Sequence, residues 1–219
     1  MFFLADMLNR KLHLPKAEEA LPGRVAPVRT AARHRVSGRP LKGPYPQGLE
    51  RSVFGMGDFH KAEPLFWRME GVWVSAAGFA GGMTANPTFQ EVGTGLTGHS
   101  QAVLVMFDPV AVSYDALLKL FWEGHDPTQK MRQGADVGTF YRSALYPQGE
   151  AQFQAALASR DAYQAALHAA GLGTVTTEIV PGAAFYFAEA EHQQYLARNG
   201  SSVCGLKGTG VSFDLPVPD

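Results

Sequence analysis

With 219 residues, a net charge of −1 and 46% apolar residues, the chain has an ordinary globular composition and is long enough to bury a real core. The near-zero charge argues against a nucleic-acid or anionic-membrane surface, and the lack of any run of about 18 apolar residues argues against a membrane-spanning helix. A single cysteine, Cys204, excludes an intramolecular disulfide and any multi-cysteine metal site. Met1 to Met7 lacks a basic region and meets Asp6 early, unlike a signal peptide. A soluble, cytoplasmic, monomeric or weakly oligomeric protein acting on a small molecule is expected, with no nucleic-acid or membrane partner.

In chain order, residues 1–50 hold many breakers, including Pro15, Pro22-Gly23, Pro40 and Gly43-Pro44, and read as an extended arm packed on the core or partly disordered. The basic residues of the arm outnumber its acids but are scattered, as on a solvated face. Residues 51–219 read as one domain. Val53-Phe54 is a short strand, Lys61 to Met69 a helix, Val72 to Ala77 a strand and Gly81 to Pro87 a loop. Gln101 to Phe107 is nearly continuous in apolar residues, as for a strand buried on both faces. Ser113 is placed to cap a helix through Leu117, Leu118, Phe121 and Trp122. Gly124 to Gly138 reads as a polar loop and Arg142 to Tyr146 as a strand. The spacing of Phe153, Leu157, Tyr163 and Leu167 predicts a helix over 149–170, stopped by Gly171. Val175 to Val180 reads as a strand, Glu189 to Ala197 as a helix. Strands alternating with helices indicate an α/β or α+β domain.

The stretch that presents chemistry is Gly55-Met56-Gly57-Asp58-Phe59-His60-Lys61. It reads as a strand-to-helix turn in which glycine permits positive φ. Asp58 and His60 are both general acid/base groups. Pro64 would break a helix capped by Asp58, which favours a helix start near Lys61 and leaves Asp58 on the turn ahead. Helix-start N–H groups lower the carboxyl pKa of Asp58 and an apolar pocket raises it, so its charge state is open. Lys61 reads as solvated. No HExxH or clustered ligand spacing occurs, and the glycine-rich tail has no following helix, so neither a metal site nor a phosphate loop is indicated. No cofactor is expected.

The chain resembles the peptide methionine sulfoxide reductase A family along nearly its whole length. The matching blocks are Phe54-Gly55-Met56-Gly57, Ala62-Glu63 with Leu65-Phe66-Trp67, Gly81-Gly82 with Asn86-Pro87-Thr88, Thr97-Gly98-His99, His125-Asp126-Pro127-Thr128-Gln129, Tyr141-Arg142-Ser143-Ala144, His192-Gln193-Gln194-Tyr195-Leu196 and Cys204-Gly205-Leu206. The resemblance implies an α/β (α+β) two-layer sandwich with a mixed sheet and a ferredoxin-like core, flanked by the coil-rich N-terminal arm and C-terminal tail. It also places Asp58 where the family has its nucleophilic cysteine, Gln101 where it has a pocket glutamate and Phe89 where it has a pocket tyrosine. Phe59, Asp136, Tyr141 and His192 match pocket positions, and Cys204 matches a resolving cysteine.

A carboxylate is a poor nucleophile for a sulfoxide sulfur and cannot form a disulfide. The substitutions therefore suggest a divergent member that has given up sulfur chemistry. It would carry out redox-neutral acid/base chemistry (isomerisation, cyclisation, elimination or hydrolysis) on a small, fairly apolar metabolite. In that reading Asp58 and His60 are catalytic, while Phe59, Phe89, Gln101, Asp136, Tyr141 and His192 line the substrate pocket. Two alternatives are a catalytically silent binding protein and a sulfoxide reductase that uses Cys204.

Overall fold

The computed structural model describes residues 11–200 and 205–214; the start of the chain, read as free of a signal peptide, and Cys204 lie outside the described residues. The elements in order are β1 (Glu50–Met56), α1 (Phe59–Trp67), β2 (Val72–Ala80), α2 (Phe89–Gly93), β3 (Ser100–Phe107) and α3 (Tyr114–Gly124). There follow β4 (Arg132–Gln133), β5 (Asp136–Val137), a short 3-10 turn over Thr139–Tyr141, β6 (Ser143–Tyr146), α4 (Glu150–Ala169), β7 (Glu178–Ile179), β8 (Phe185–Phe187) and α5 (Tyr195–Asn199). One sheet runs in the order β7-β6-β1-β3-β2-β8. Among the described residues only β6 and β7 pair in parallel, so the sheet is mixed. The succession β1-α1-β2-β3-α3-β6, with β1 and β3 inside and β6 and β2 outside, is the split βαββαβ unit of a ferredoxin-like core.

Successive strand residues point to opposite faces, and here both faces are buried. Phe54, Val103, Val105 and Phe107 face α1 and α3, where Phe66, Leu117, Phe121 and Trp122 complete a core. Val53, Ala102, Leu104 and Tyr146 face the other way, onto Leu41 with Ala31, Tyr45 and Leu49 of the arm. The continuous apolar run of β3 thus has its reason in a sheet covered by helices on one side and by coil on the other.

Several elements differ from the sequence reading. The first helix begins at Phe59, with Asp58 as its N-cap and Pro64 inside it. The cap explains the earlier start: the Asp58 carboxylate accepts the His60 N–H and the Gln101 amide oxygen accepts that of Phe59. Pro64 then costs one intrahelical bond, to the His60 carbonyl, while Phe59, Ala62 and Phe66 are buried. In α4 the buried stripe is Gln152, Ala156, Ser159, Tyr163 and Leu167, and Phe153 and Leu157 are only half-buried. Small residues let α4 approach α3 closely, where the Trp122 indole N–H donates to Ser159 Oγ at 2.9 Å. The strand read over 175–180 shrinks to β7, because the Val175 and Thr176 N–H groups go to the Gln164 side chain and the Pro127 carbonyl. The helix read over 189–197 is a series of turns up to Gln194, whose φ of +44° interrupts helical geometry before α5. The 124–138 loop contains the β4–β5 hairpin.

Candidate functional site

Gly57, at φ +92°, ends β1 and turns the chain into α1; a Cβ there would lie 2.6 Å from the Gln133 Cβ, so only glycine passes. The turn sets Asp58 at the helix start with its side chain one-fifth exposed. Its Oδ1 accepts the His60 N–H at 2.9 Å and lies 3.2 Å from His60 Nδ1, while Oδ2 is 3.6 Å from Lys61 Nζ. Burial alone would raise the Asp58 carboxyl, but the hydrogen bonds and charge of His60, helped by Lys61, outweigh it and hold the group below its usual pKa. Asp58 is therefore the carboxylate of an ion cluster. The charge question left open by the sequence closes on that side.

The cap also explains how residues two apart come together. His60 is the second helical residue, and an N-cap side chain folds over the first turn to reach it. From His60 the contacts continue: Nε2 lies 3.1 Å from His192 Nδ1, and His192 Nε2 is 3.9 Å from a Glu189 oxygen. The Asp58 carboxylate can only accept, so His60 Nδ1 presents its proton to Asp58, and a hydrogen bond between His60 Nε2 and His192 Nδ1 extends the line to the second ring. Burial, and then the neighbouring His60, push the His192 imidazole below its usual pKa despite the nearby carboxylates.

Around this line stands an aromatic wall. The Phe89 and His192 rings stack at 4.3 Å, Phe59 lies 5.8 Å from each of them, and Tyr195 covers His60 at 4.3 Å. On the other side Lys61 Nζ meets Asp136 at 2.7 Å. Burial would lower the Lys61 ammonium, but its bonds to Asp136 and Asp58 raise it, so it stays a cation. Tyr141 is raised by burial and by the negative charges of Asp136 and Asp58. Gln101 is buried under the turn and is engaged with the Phe59 N–H.

All eight residues singled out from the sequence thus gather at one end of β1, β3 and α1. Lys61, read as solvated, belongs to the site as the bridge between two carboxylates. Glu189 and Tyr195 were not foreseen. Glu189 holds the Phe89 N–H at 3.0 Å and so ties the start of α2 to the His192 turn. Tyr195 stands in a matching family block and opens α5, but its contact with His60, like that of Glu189 with the Phe89 N–H, is made only through the fold. His99 and His125 are buried and engaged with local carbonyls and Ser143, as structural histidines are. Among the described residues no cluster of His, Cys, Asp and Glu is arranged to hold a metal ion.

The chain is thus an α/β protein in which the first strand of a ferredoxin-like sheet delivers a capped helix start into a cluster of aromatic and carboxylate side chains. The family profile for peptide methionine sulfoxide reductase matches residues 50–211, and the chain belongs to that family. It is 59% identical over 204 residues to "Peptide methionine sulfoxide reductase MsrA 1" of Caulobacter vibrioides, covering 93% of this chain and 94% of that one. It is 55% identical over 212 residues to "Peptide methionine sulfoxide reductase MsrA" of Brucella ovis, covering 97% of each. Among solved structures, methionine sulfoxide reductase A of Corynebacterium diphtheriae superposes with a TM-score of 0.83 at 43% identity, over 94% of this chain and all of the other.

These likenesses correct the functional expectation. A re-purposed acid/base enzyme, with cyclase- or isomerase-like chemistry and no part for the remaining cysteine, does not stand beside relatives of such identity and coverage that are named as reductases. The chain retains one cysteine, Cys204. The expectation failed because it took the replacements at a few positions to outweigh the rest of the chain.

Proposed function

We propose that this chain reduces methionine sulfoxide, free or in peptides, with Cys204 as the attacking thiol. What carries the reading is the near full-length identity to proteins named as peptide methionine sulfoxide reductases. The pocket supports it: Phe59 and Phe89 offer apolar walls for a thioether methyl, and Asp58, His60 and His192 form a line along which a proton can reach the sulfoxide oxygen.

The chemistry balances as follows. The Cys204 thiolate attacks the sulfoxide sulfur while the sulfoxide oxygen takes a proton. The sulfur–oxygen bond then passes to Cys204 as a sulfenic acid, and the thioether leaves. An external dithiol returns Cys204 to the thiol, forming its own disulfide and releasing water. In this scheme His60 and His192 convey the proton and Asp58 holds His60 in its tautomer. Lys61 and Asp136 fix Asp58, while Tyr141 and Gln101 bound the pocket. We place this activity in the domain at 51–219, with residues 1–50 as an accessory arm, in a cytoplasmic monomer that binds no nucleic acid. No helix among the described residues is long and apolar enough to cross a membrane.

The test is turnover of a peptide carrying methionine sulfoxide, with dithiothreitol as reductant and product followed by mass. Wild type should convert it and Cys204→Ser should not. Turnover that survives Cys204→Ser defeats the reading. A second reading, silent capture of the same group, is favoured by one observation: Asp58, held by His60 and Lys61, stands where the family resemblance puts the nucleophile. Saturable binding of the peptide without any turnover would select it.

A further inference from the structure

Beside the 190–198 segment, the arm and α5 border an open hollow of about 320 Å³, in which the arginine side chains are exposed. Arg33 and Arg35 enter it from the arm and Arg198 from α5, and no carboxylate lines it. Arg33 gives one guanidinium N–H to the Gly38 carbonyl. Among the described residues the guanidinium groups of Arg35 and Arg198 have no hydrogen-bond or ion-pair partner. Three permanent positive charges thus converge on one hollow in a chain whose net charge is −1.

The floor of the hollow is polar, buried and fixed. The His34 Nδ1 accepts the Ser37 N–H, so His34 Nε2–H donates to Ser75 Oγ, and Ser75 donates in turn to Glu63. Glu63 also accepts the Gln194 N–H and side-chain amide, and the Gln194 amide oxygen accepts the Arg35 N–H. The backbone around Arg35 is therefore held by a satisfied network, while among the described residues the heads of Arg35 and Arg198 are left unpaired. Guanidinium forks in this state match carboxylate and phosphate oxygens.

We propose that this cavity is a binding site for a small polyanion bearing phosphate or carboxylate groups, separate from the Asp58–His192 pocket. Its volume exceeds what one inorganic phosphate fills, and its three positive charges favour a multiply charged ligand. Binding would also reinforce the tie between the arm and the turn that carries His192 and Tyr195, since the Arg35 and Arg198 backbone N–H groups both donate to Gln194.

Isothermal titration with pyrophosphate and with citrate, at matched ionic strength in sodium chloride, tests this. Saturable binding of pyrophosphate alone assigns a phosphate ligand, binding of citrate alone a carboxylate ligand, and binding of both a general oxyanion site. The double variant Arg35→Ala/Arg198→Ala should weaken binding by about tenfold or more, the loss of at least one charge-assisted contact. Arg160→Ala, which removes an exposed arginine elsewhere, should leave it unchanged. Because both targeted side chains are unpartnered, the double variant should keep the wild-type melting temperature without ligand, which separates lost binding from lost folding. No saturable heat from either anion, or equal binding by the double variant, overturns the proposal.

Discussion

Glu63 is fully buried one and a quarter turns into α1, and its carboxyl is the terminus of every hydrogen bond it makes: from Ser75 Oγ at 2.8 Å, the Gln194 N–H at 2.9 Å and the Gln194 side-chain amide at 2.6 Å. Burial raises its pKa to about 7, against the lowering effect of those three donors. A carboxyl whose folded pKa lies above its unfolded one contributes stability below about 4.5 and loses it as pH rises through about 7. A rise from 4.5 to about 7, at about 1.4 kcal/mol per unit, is worth roughly 3 kcal/mol across that window. Glu63→Gln keeps the shape and removes the titration. It also sets an amide N–H₂ against a donor, at a cost of about 1–3 kcal/mol. Urea unfolding followed by the fluorescence of buried Trp122, run at pH 4.5 and pH 8, should show the variant well below wild type in acid. The gap should close by roughly 3 kcal/mol at the alkaline end. A gap that does not change with pH would mean that Glu63 ionises alike in both states, and the reasoning would fail.

Three other outcomes follow from the same geometry. Asp58→Cys puts a thiol at a capped helix start beside His60 and Lys61, which should depress its pKa and raise sulfoxide turnover by about tenfold or more over wild type; unchanged turnover would show that this turn does not face the substrate. Arg142 is buried, with N–H groups on the Thr139 and Gly98 carbonyls and on Glu178, so Arg142→Met should cost about 3–5 kcal/mol in thermal or urea unfolding. His125 is fully buried and lowered to about 4, chiefly by desolvation, so its contribution is present above about 6.5 and lost as pH falls toward 4. In the Glu63→Gln background, with the opposing carboxyl gone, the urea midpoint should fall steadily below pH 6.5, and a flat midpoint would contradict the assignment of a neutral histidine.

How far the sequence could be read depended on the range of the interactions involved. The apolar run of β3 and the Ser113 cap were legible because their causes lie within the segment itself. The start of α1 was not. Pro64 seemed to forbid a cap at Asp58, but the helix is held from outside by Gln101, more than forty residues further along. The buried face of α4 was misread because size was taken as the guide, whereas close packing on α3 selects Ala156 and Ser159. That the eight expected site residues lie near one another could be read from the family resemblance, because it places them by position rather than by local spacing. The contacts of Lys61 with Asp136, of Glu189 with the Phe89 N–H and of Tyr195 with His60 are made across the fold, and no spacing rule reports that. The replacements at positions 58, 89 and 101 carried more weight in the functional reading than a few positions can bear against the identity of the whole chain.

The coil that covers the second face of the sheet also governs how the chain can be cut. Val53, Val74, Ala76, Leu104 and Tyr146 are shielded there together with Leu41. A truncation designed to isolate the strand-and-helix unit from Glu50 onward would lay this face open to water. The product should be an aggregating species, recoverable only when residues 30–49 are restored in cis or supplied as a peptide.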